Sequence, residues 1–283
     1  MAENSRIEWT DHTFNPWWGC TKVSPACDNC YAEAWARRTG HAVWGAKTDR
    51  RFLSEFYWKQ PHSWNRQAKK RRGRSRVFCA SMADVFEWRA DLTPWRTKLW
   101  TLIEETPHLD WLLLTKRPHL AQRLVPWGDS WPENVWLGAT VESQRFADKR
   151  MHHLIDVPAK VRFVSCEPLR SSIDLEPYLA SEELDWVIAG GESGALARAS
   201  EPNWYRELRD QCVSYSVAFH FKQWGEWAPL SAVDGERIPA RLDTTAWSEP
   251  LARFGKKRSG RRLDGREWNE FPYEHASRIR LAL

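Results

Sequence analysis

Three of the six cysteines in this 283-residue chain fall within eleven residues, in "GCTKVSPACDNCYA", as Cys20, Cys27 and Cys30. Lys22, Ser24, Asp28 and Asn29 make their loop polar, and a helix-like "YAEAWARRTG" follows. Three uses of such a trio are open. Free cysteine can serve as a small buried apolar group, which suits Cys79, Cys166 and Cys212 in their apolar contexts better than a polar loop. A structural zinc ion needs a fourth ligand, for which His12 is the neighbouring candidate. An iron–sulfur cluster held by only three thiolates leaves one iron open to an exogenous ligand, an arrangement suited to chemistry rather than storage.

A second set of reactive side chains closes a series of short apolar runs. Ser81 and Asp84 follow "RVFCA", and Thr115, Lys116 and Arg117 follow "LDWLLL". Thr140, Glu142 and Ser143 follow "NVWLGA", Glu167 follows "VRFVSC", Glu192 and Ser193 follow "LDWVIAGG", and Lys222 and Gln223 follow "VAFHF". Runs of β-branched, aromatic and leucine residues without alternation read as strands buried on both faces. Between them, "TPWRTKLWTLIEETP", "RPHLAQRLV", "SQRFADKRMHHLID" and "EPNWYRELRDQCVSYS" read as amphipathic helices. With a first strand near "HTFNPWW", the alternation predicts an α/β fold with a parallel sheet, a (βα) barrel that is complete or partial. A doubly wound sheet is the alternative. In either, ligands bind at the carboxyl ends of the strands, where all these polar clusters and the cysteine loop fall. The expected organisation is a barrel over residues 1–228 and a basic C-terminal extension over 229–283 packed on it.

Composition narrows the setting. No window approaches the ~18 apolar residues of a membrane span, and "MAENSRIEWTDHTF" lacks the layout of a signal peptide. A cytoplasmic protein with reduced thiols is the expectation. The net charge of +5 is concentrated in "RQAKKRRGRSR" (66–76) and "GKKRSGRR" (255–262). Both runs read as basic loops, and aromatic residues lie near each. Trp58, Trp64 and Trp88 around the first could stack on bases while its cations meet phosphates, so nucleic acid is the expected partner.

The trio of thiols between a strand and a helix resembles the radical S-adenosylmethionine (SAM) enzymes. That group typically carries CX3CX2C; here the spacing is CX6CX2C, with Tyr31 after the last cysteine. "GCTKVSPACDNCYA", "SMADVF", "LTKRP", "WLGATVES", "CEPL", "VIAGGESG", "FKQWG" and "GRRLDGREWNEFP" together resemble a phage- and bacteria-borne family of three-cysteine-motif proteins of unknown function. That family is a divergent radical SAM-like group, with spore photoproduct lyase as a distant cousin. The resemblance implies a 4Fe-4S cluster on Cys20, Cys27 and Cys30, with SAM bound at the open iron. Ser81 and Asp84 would then meet the SAM amino group, and Lys116 or Arg117 its carboxylate. Glu142, with Thr140 or Ser143, would take the ribose hydroxyls, and Glu167 and Lys222 would handle substrate. The "GGE" usual after the second strand of radical SAM enzymes is absent; Gly190-Gly191-Glu192 follows the sixth run instead. The implied function is reductive SAM cleavage to modify or repair nucleic acid. An electron donor such as flavodoxin or ferredoxin, and a genetically linked partner protein, belong to the same expectation. The rivals are a nucleic-acid-binding protein with a structural metal site and a radical enzyme acting on a peptide or small molecule.

Overall fold

Every apolar run named above forms a strand in the computed structural model of the chain, which describes residues 3–233, 242–243 and 247–272. The chain divides into two compact units, Met1–Ala139 with His152–Arg162, and Thr140–Met151 with Phe163–Leu283. In the first unit, strands β1 (His12–Thr13), β2 (Ser75–Cys79), β3 (Leu109–Thr115) and β4 (Val135–Thr140) pair in parallel in that order. In the second, β5 (Val161–Cys166), β6 (Trp186–Gly190) and β7 (Ala218–Gln223) do the same. All seven belong to one sheet whose spatial order is their chain order. A doubly wound sheet reverses its strand order at a switch point. This order never reverses, so the connectivity is that of a partial (βα) barrel.

The helices of eight or more residues between the strands are α1 (Tyr31–Arg38), α2 (Gln60–Lys70), α3 (Thr93–Glu105), α4 (Gln144–Ile155) and α5 (Pro202–Ser214). The helix expected in "RPHLAQRLV" is reduced to a 3-10 turn, Pro118–Leu120, and a single turn, Ala121–Leu124. Val125 is extended because Pro126 follows it.

The first basic run is not the loop expected of it. Its leading residues continue α2, which buries Pro61, Trp64 and Ala68 in one stripe. Trp58 and Trp64 are core residues, and Trp64 stacks on His12 with ring centroids 4.4 Å apart. Neither indole can stack on a base. From α2 the chain turns through Arg71–Arg74 into the first residue of β2, so the run sits at the amino end of that strand.

The second unit carries further small sheets. Trp227–Pro229, Leu251–Arg253 and Leu242–Asp243 are antiparallel. Arg262–Leu263 and Arg266–Glu267 form a hairpin. Its turn is Asp264-Gly265, both at positive φ (52° and 74°), the geometry an Asp-Gly pair favours. Beyond it, the Phe221 amide donates to Trp268 O at 3.0 Å and the Glu270 amide to Phe219 O at 3.3 Å, so this segment covers the outer edge of β7. Among the described residues no helix is long and apolar enough to cross a membrane.

Candidate functional site

The cysteine loop grows from the carboxyl end of β1. Phe14 continues the pairing toward β2, and the amide of Gly19 donates to Met82 O at 3.0 Å. Gly19 has φ +115°, and a Cβ there would collide with Val43 O, so glycine is required one residue before Cys20. A buried ion pair braces the loop from below. Arg50 donates to Glu87 at 2.7 Å and to the carbonyls of Val43, Gly45 and Thr48, while Glu87 also accepts from the Thr21 hydroxyl at 2.6 Å. Cys27 ends a 3-10 turn, Pro25–Cys27, and Cys30 is the N-cap of α1.

The six cysteines separate as their contexts suggest. Cys20, Cys27 and Cys30 are partly exposed, whereas Cys79, Cys166 and Cys212 are fully buried. Burial, with the Asp84 carboxylate nearby, pushes the Cys20 thiol up to about 12, against the pull of Arg117, whose Nη1 lies 3.7 Å from the sulfur. Burial also raises Cys30. The backbone N–H groups of Glu33 and Ala32 at the start of α1, and the charge of Lys116, oppose that rise. Burial thus disfavours deprotonated sulfur at Cys20 and Cys30, while Arg117 beside the first and helix N–H groups with Lys116 beside the second oppose it.

Asp84 organises the neighbouring strand ends. Its Oδ1 accepts from the Phe86 amide at 3.0 Å and the Thr115 hydroxyl at 2.7 Å. Its Oδ2 accepts from the Lys116 amide at 3.1 Å and Arg117 Nη1 at 2.8 Å. Both oxygens are filled by this chain's own donors. Ser81 is joined to Asn15, whose Nδ2 donates to its hydroxyl at 3.1 Å, and its carbonyl accepts from the Tyr31 hydroxyl at 3.0 Å. Ser81, Asp84, Lys116 and Arg117 thus gather round the cysteine loop in the first unit. Asn15, Gly19, Tyr31, Arg50 and Glu87 support them. Of these only Tyr31 carried a local signal, through its place after Cys30.

The second unit holds the other expected residues. Glu142 is buried, and its Oε2 accepts from Arg150 Nη1 at 2.6 Å while the same nitrogen donates to Thr140 O at 2.7 Å. Its Oε1 is buried with no hydrogen-bond partner among the described residues. Ser143 precedes α4, and its carbonyl accepts from the Phe146 and Ala147 amides at 2.9 and 3.0 Å. Glu167 and Lys222 form an ion pair at 3.0 Å across the ends of β5 and β7. A Cβ at Gly190 would collide with Glu167 Oε1, so that glycine makes room for the pair. Glu192 is clamped by Arg198, which reaches Oε1 at 2.6 Å and Oε2 at 2.9 Å.

The sequence raised two metal groups for these donors, a zinc ion and an iron–sulfur cluster. Among the described residues no three His, Cys, Asp or Glu side chains converge on one ion. His12, the ligand expected to complete a zinc site, is held in its stack on Trp64. A cluster spreads its thiolates round a larger body of iron and sulfide than one ion. Three partly exposed thiols on one loop are the donor type that such a cluster takes.

Parallel strands in unbroken chain order, with a three-thiol loop at the carboxyl end of the first, define a partial (βα)-barrel protein. The chain belongs to the family described as "Protein of unknown function (DUF5131)", which matches residues 4–272. No curated protein matches it. Among solved structures it is similar to a double mutant of spore photoproduct lyase with bound AdoMet and dinucleoside spore photoproduct. The identity is 11% over 86% of this chain and 68% of that one, with a TM-score of 0.45. A single mutant of that enzyme matches at 14% identity over 75% of this chain and 74% of its own, also with a TM-score of 0.45.

Proposed function

We propose that this chain is a radical SAM-type iron–sulfur enzyme that modifies or repairs nucleic acid. The observation that carries the reading is the cysteine loop: three partly exposed thiols at the carboxyl end of β1, while the other three cysteines are sealed in the core. Cys20, Cys27 and Cys30 would hold a 4Fe-4S cluster. When bound, the reduced cluster supplies the electron that cleaves SAM and starts hydrogen abstraction from a substrate. Flavodoxin or ferredoxin would deliver that electron.

The chain's own residues then take distinct roles. Lys116 and Arg117 offset the thiolate charge and offer a partner to the SAM carboxylate. Asp84, with every acceptor position filled, is a positioning residue that fixes those two cations, and Ser81 is left as the acceptor for the SAM amino group. Glu142 offers its unpartnered Oε1 to a ribose hydroxyl, with Thr140 and Ser143 flanking it. Glu167 and Lys222, paired but partly accessible, bind substrate and hold or move a proton between carboxylate and amine.

Anaerobic purification with iron and sulfide analysis tests the centre, and 5′-deoxyadenosine formed under dithionite tests the chemistry. A Cys20/Cys27/Cys30 triple alanine variant should lose its brown colour, its iron and SAM cleavage, whereas Cys212→Ala keeps its iron. Equal iron in the triple variant and the wild type would overturn the assignment.

A further inference from the structure

The two basic runs look alike in sequence but differ in where they stand on their strands. The first begins on α2 and ends where β2 starts, at the amino end of that strand, whereas Ser81 and Asp84 follow its carboxyl end. Part of this run is already used: Arg71 donates to the Ser75 hydroxyl at 2.8 Å, and Arg74 pairs with Asp110 at 2.7 Å.

The second run lies at a carboxyl end. Residues 255–262 are fastened to the three residues that follow β7. The Gly255 amide donates to Glu226 O at 3.1 Å, and the Ser259 hydroxyl to Gly225 O at 2.6 Å. The Trp224 amide donates to Gly260 O at 3.3 Å and its indole N–H to Arg262 O at 2.8 Å. Ser259 is buried, while Lys256, Lys257, Arg258 and Arg262 around it are exposed. The nearby carboxylates are engaged elsewhere: Glu226 faces Arg253 at 3.8 Å, and Asp264 is held by Arg206 and Arg209. Arg258 lies over the Phe254 ring at 5.7 Å. Lys256, Lys257 and Arg262 have no acidic partner among the described residues.

We infer that Lys256, Lys257 and Arg262 form a phosphate-contacting surface for a nucleic-acid backbone at the carboxyl end of β7, directly after Lys222, and that the α2 run does not. The inference rests on the proposed function and names the contact surface of its substrate. A backbone pinned by four hydrogen bonds loses little further freedom when its cations, without acidic partners among the described residues, meet phosphates. Each neutralised phosphate releases condensed counterions, which gives the surface a measurable signature.

Affinity for a short labelled duplex DNA, measured across a salt series, reads that signature. A Lys256→Ala/Lys257→Ala/Arg262→Ala variant should flatten the slope of log affinity against log salt by about 0.9 for each phosphate it no longer neutralises. A Lys69→Ala/Lys70→Ala/Arg72→Ala variant on the α2 run should keep the wild-type slope. Thermal unfolding of both variants checks that the fold is retained. An unchanged slope in the first variant, a flattened slope in the second, or no salt-dependent binding by the wild type would each overturn the inference. Competition by inorganic pyrophosphate as effective as DNA of equal phosphate content would also do so, because the surface would then read small phosphates. Iron content and SAM cleavage, measured on the same wild-type preparation, keep the two readings apart. Iron and cleavage without DNA binding would sink only this surface, and DNA binding without iron would sink only the enzyme.

Discussion

Glu142 has one oxygen bonded to Arg150 and the other buried without a partner. A buried polar atom left bare costs about 1–3 kcal/mol, so the second oxygen marks a place where a ligand donor belongs. The competing reading, a residue that merely favours the start of α4, gives that oxygen nothing to do. Removing the side chain would strand Arg150, costing about 3–5 kcal/mol, so alanine is a poor probe. Glu142→Gln keeps an acceptor for Arg150, removes the charge and puts an NH2 donor where Oε1 would accept. It should remain folded with its cluster, lose about 1–3 kcal/mol of stability in denaturant titration, and bind SAM about tenfold more weakly, equivalent to about 1.4 kcal/mol. Calorimetric titration of SAM into the anaerobically reconstituted variant decides it, and wild-type affinity would remove Glu142 from the site. "WLGATVES" pointed to the carboxylate by residue type, but nothing local pointed to Arg150, eight positions on. Helical neighbours three or four apart can be read from a sequence. A partner two turns away, reached only after the strand bends into the helix, cannot.

Among the elements, α2 is where composition misled. Its apolar stripe is only Pro61, Trp64 and Ala68, and six cations follow within the next eight residues. The 3.6-residue spacing is present, but the charge run outweighs it in any composition reading. The strands were legible because each is a continuous apolar run bounded by polar residues. The docking of α2 on β1 carries a pH prediction. His12 stacks on Trp64, and burial holds its pKa below the ordinary 6.5 despite the opposing charges of Asp11 and Glu3. A base whose folded pKa is depressed keeps its contribution above the unfolded pKa and loses it as pH falls toward the folded value. Stability should therefore decline as pH drops below about 6.5. His12→Phe, which keeps an aromatic ring on Trp64 but cannot protonate, should flatten that decline in thermal melts between pH 7.5 and pH 5. An unchanged pH profile would show that His12 does not carry the effect.

On the scale of the whole molecule, the twenty tryptophans bear on the proposed contact with nucleic acid. Such a number suggested faces open for base stacking, because each indole N–H wants a partner. The fold instead turns most rings inward. Trp9, Trp17, Trp64, Trp111, Trp136 and Trp186 rank among the largest fully buried side chains, and only Trp35 and Trp88 count as exposed, at 37% and 56%. One face of Trp88 is occupied by the Arg123 guanidinium, 4.4 Å from the ring centre. The aromatic excess therefore builds the core, and the proposed contact with nucleic acid would fall to cations, which position a backbone without reading or stacking bases. Two measurements follow. Native emission should be blue-shifted and weakly quenched by acrylamide, with Trp88→Phe removing much of the accessible fraction, whereas unfolded protein should be quenched throughout. Saturating duplex or single-stranded DNA should then leave the emission almost unchanged even where anisotropy of the labelled strand reports binding. Strong quenching by DNA that disappears in Trp88→Phe would show that a base does stack on this ring. Phosphate contact at the end of β7 would then be only part of the recognition.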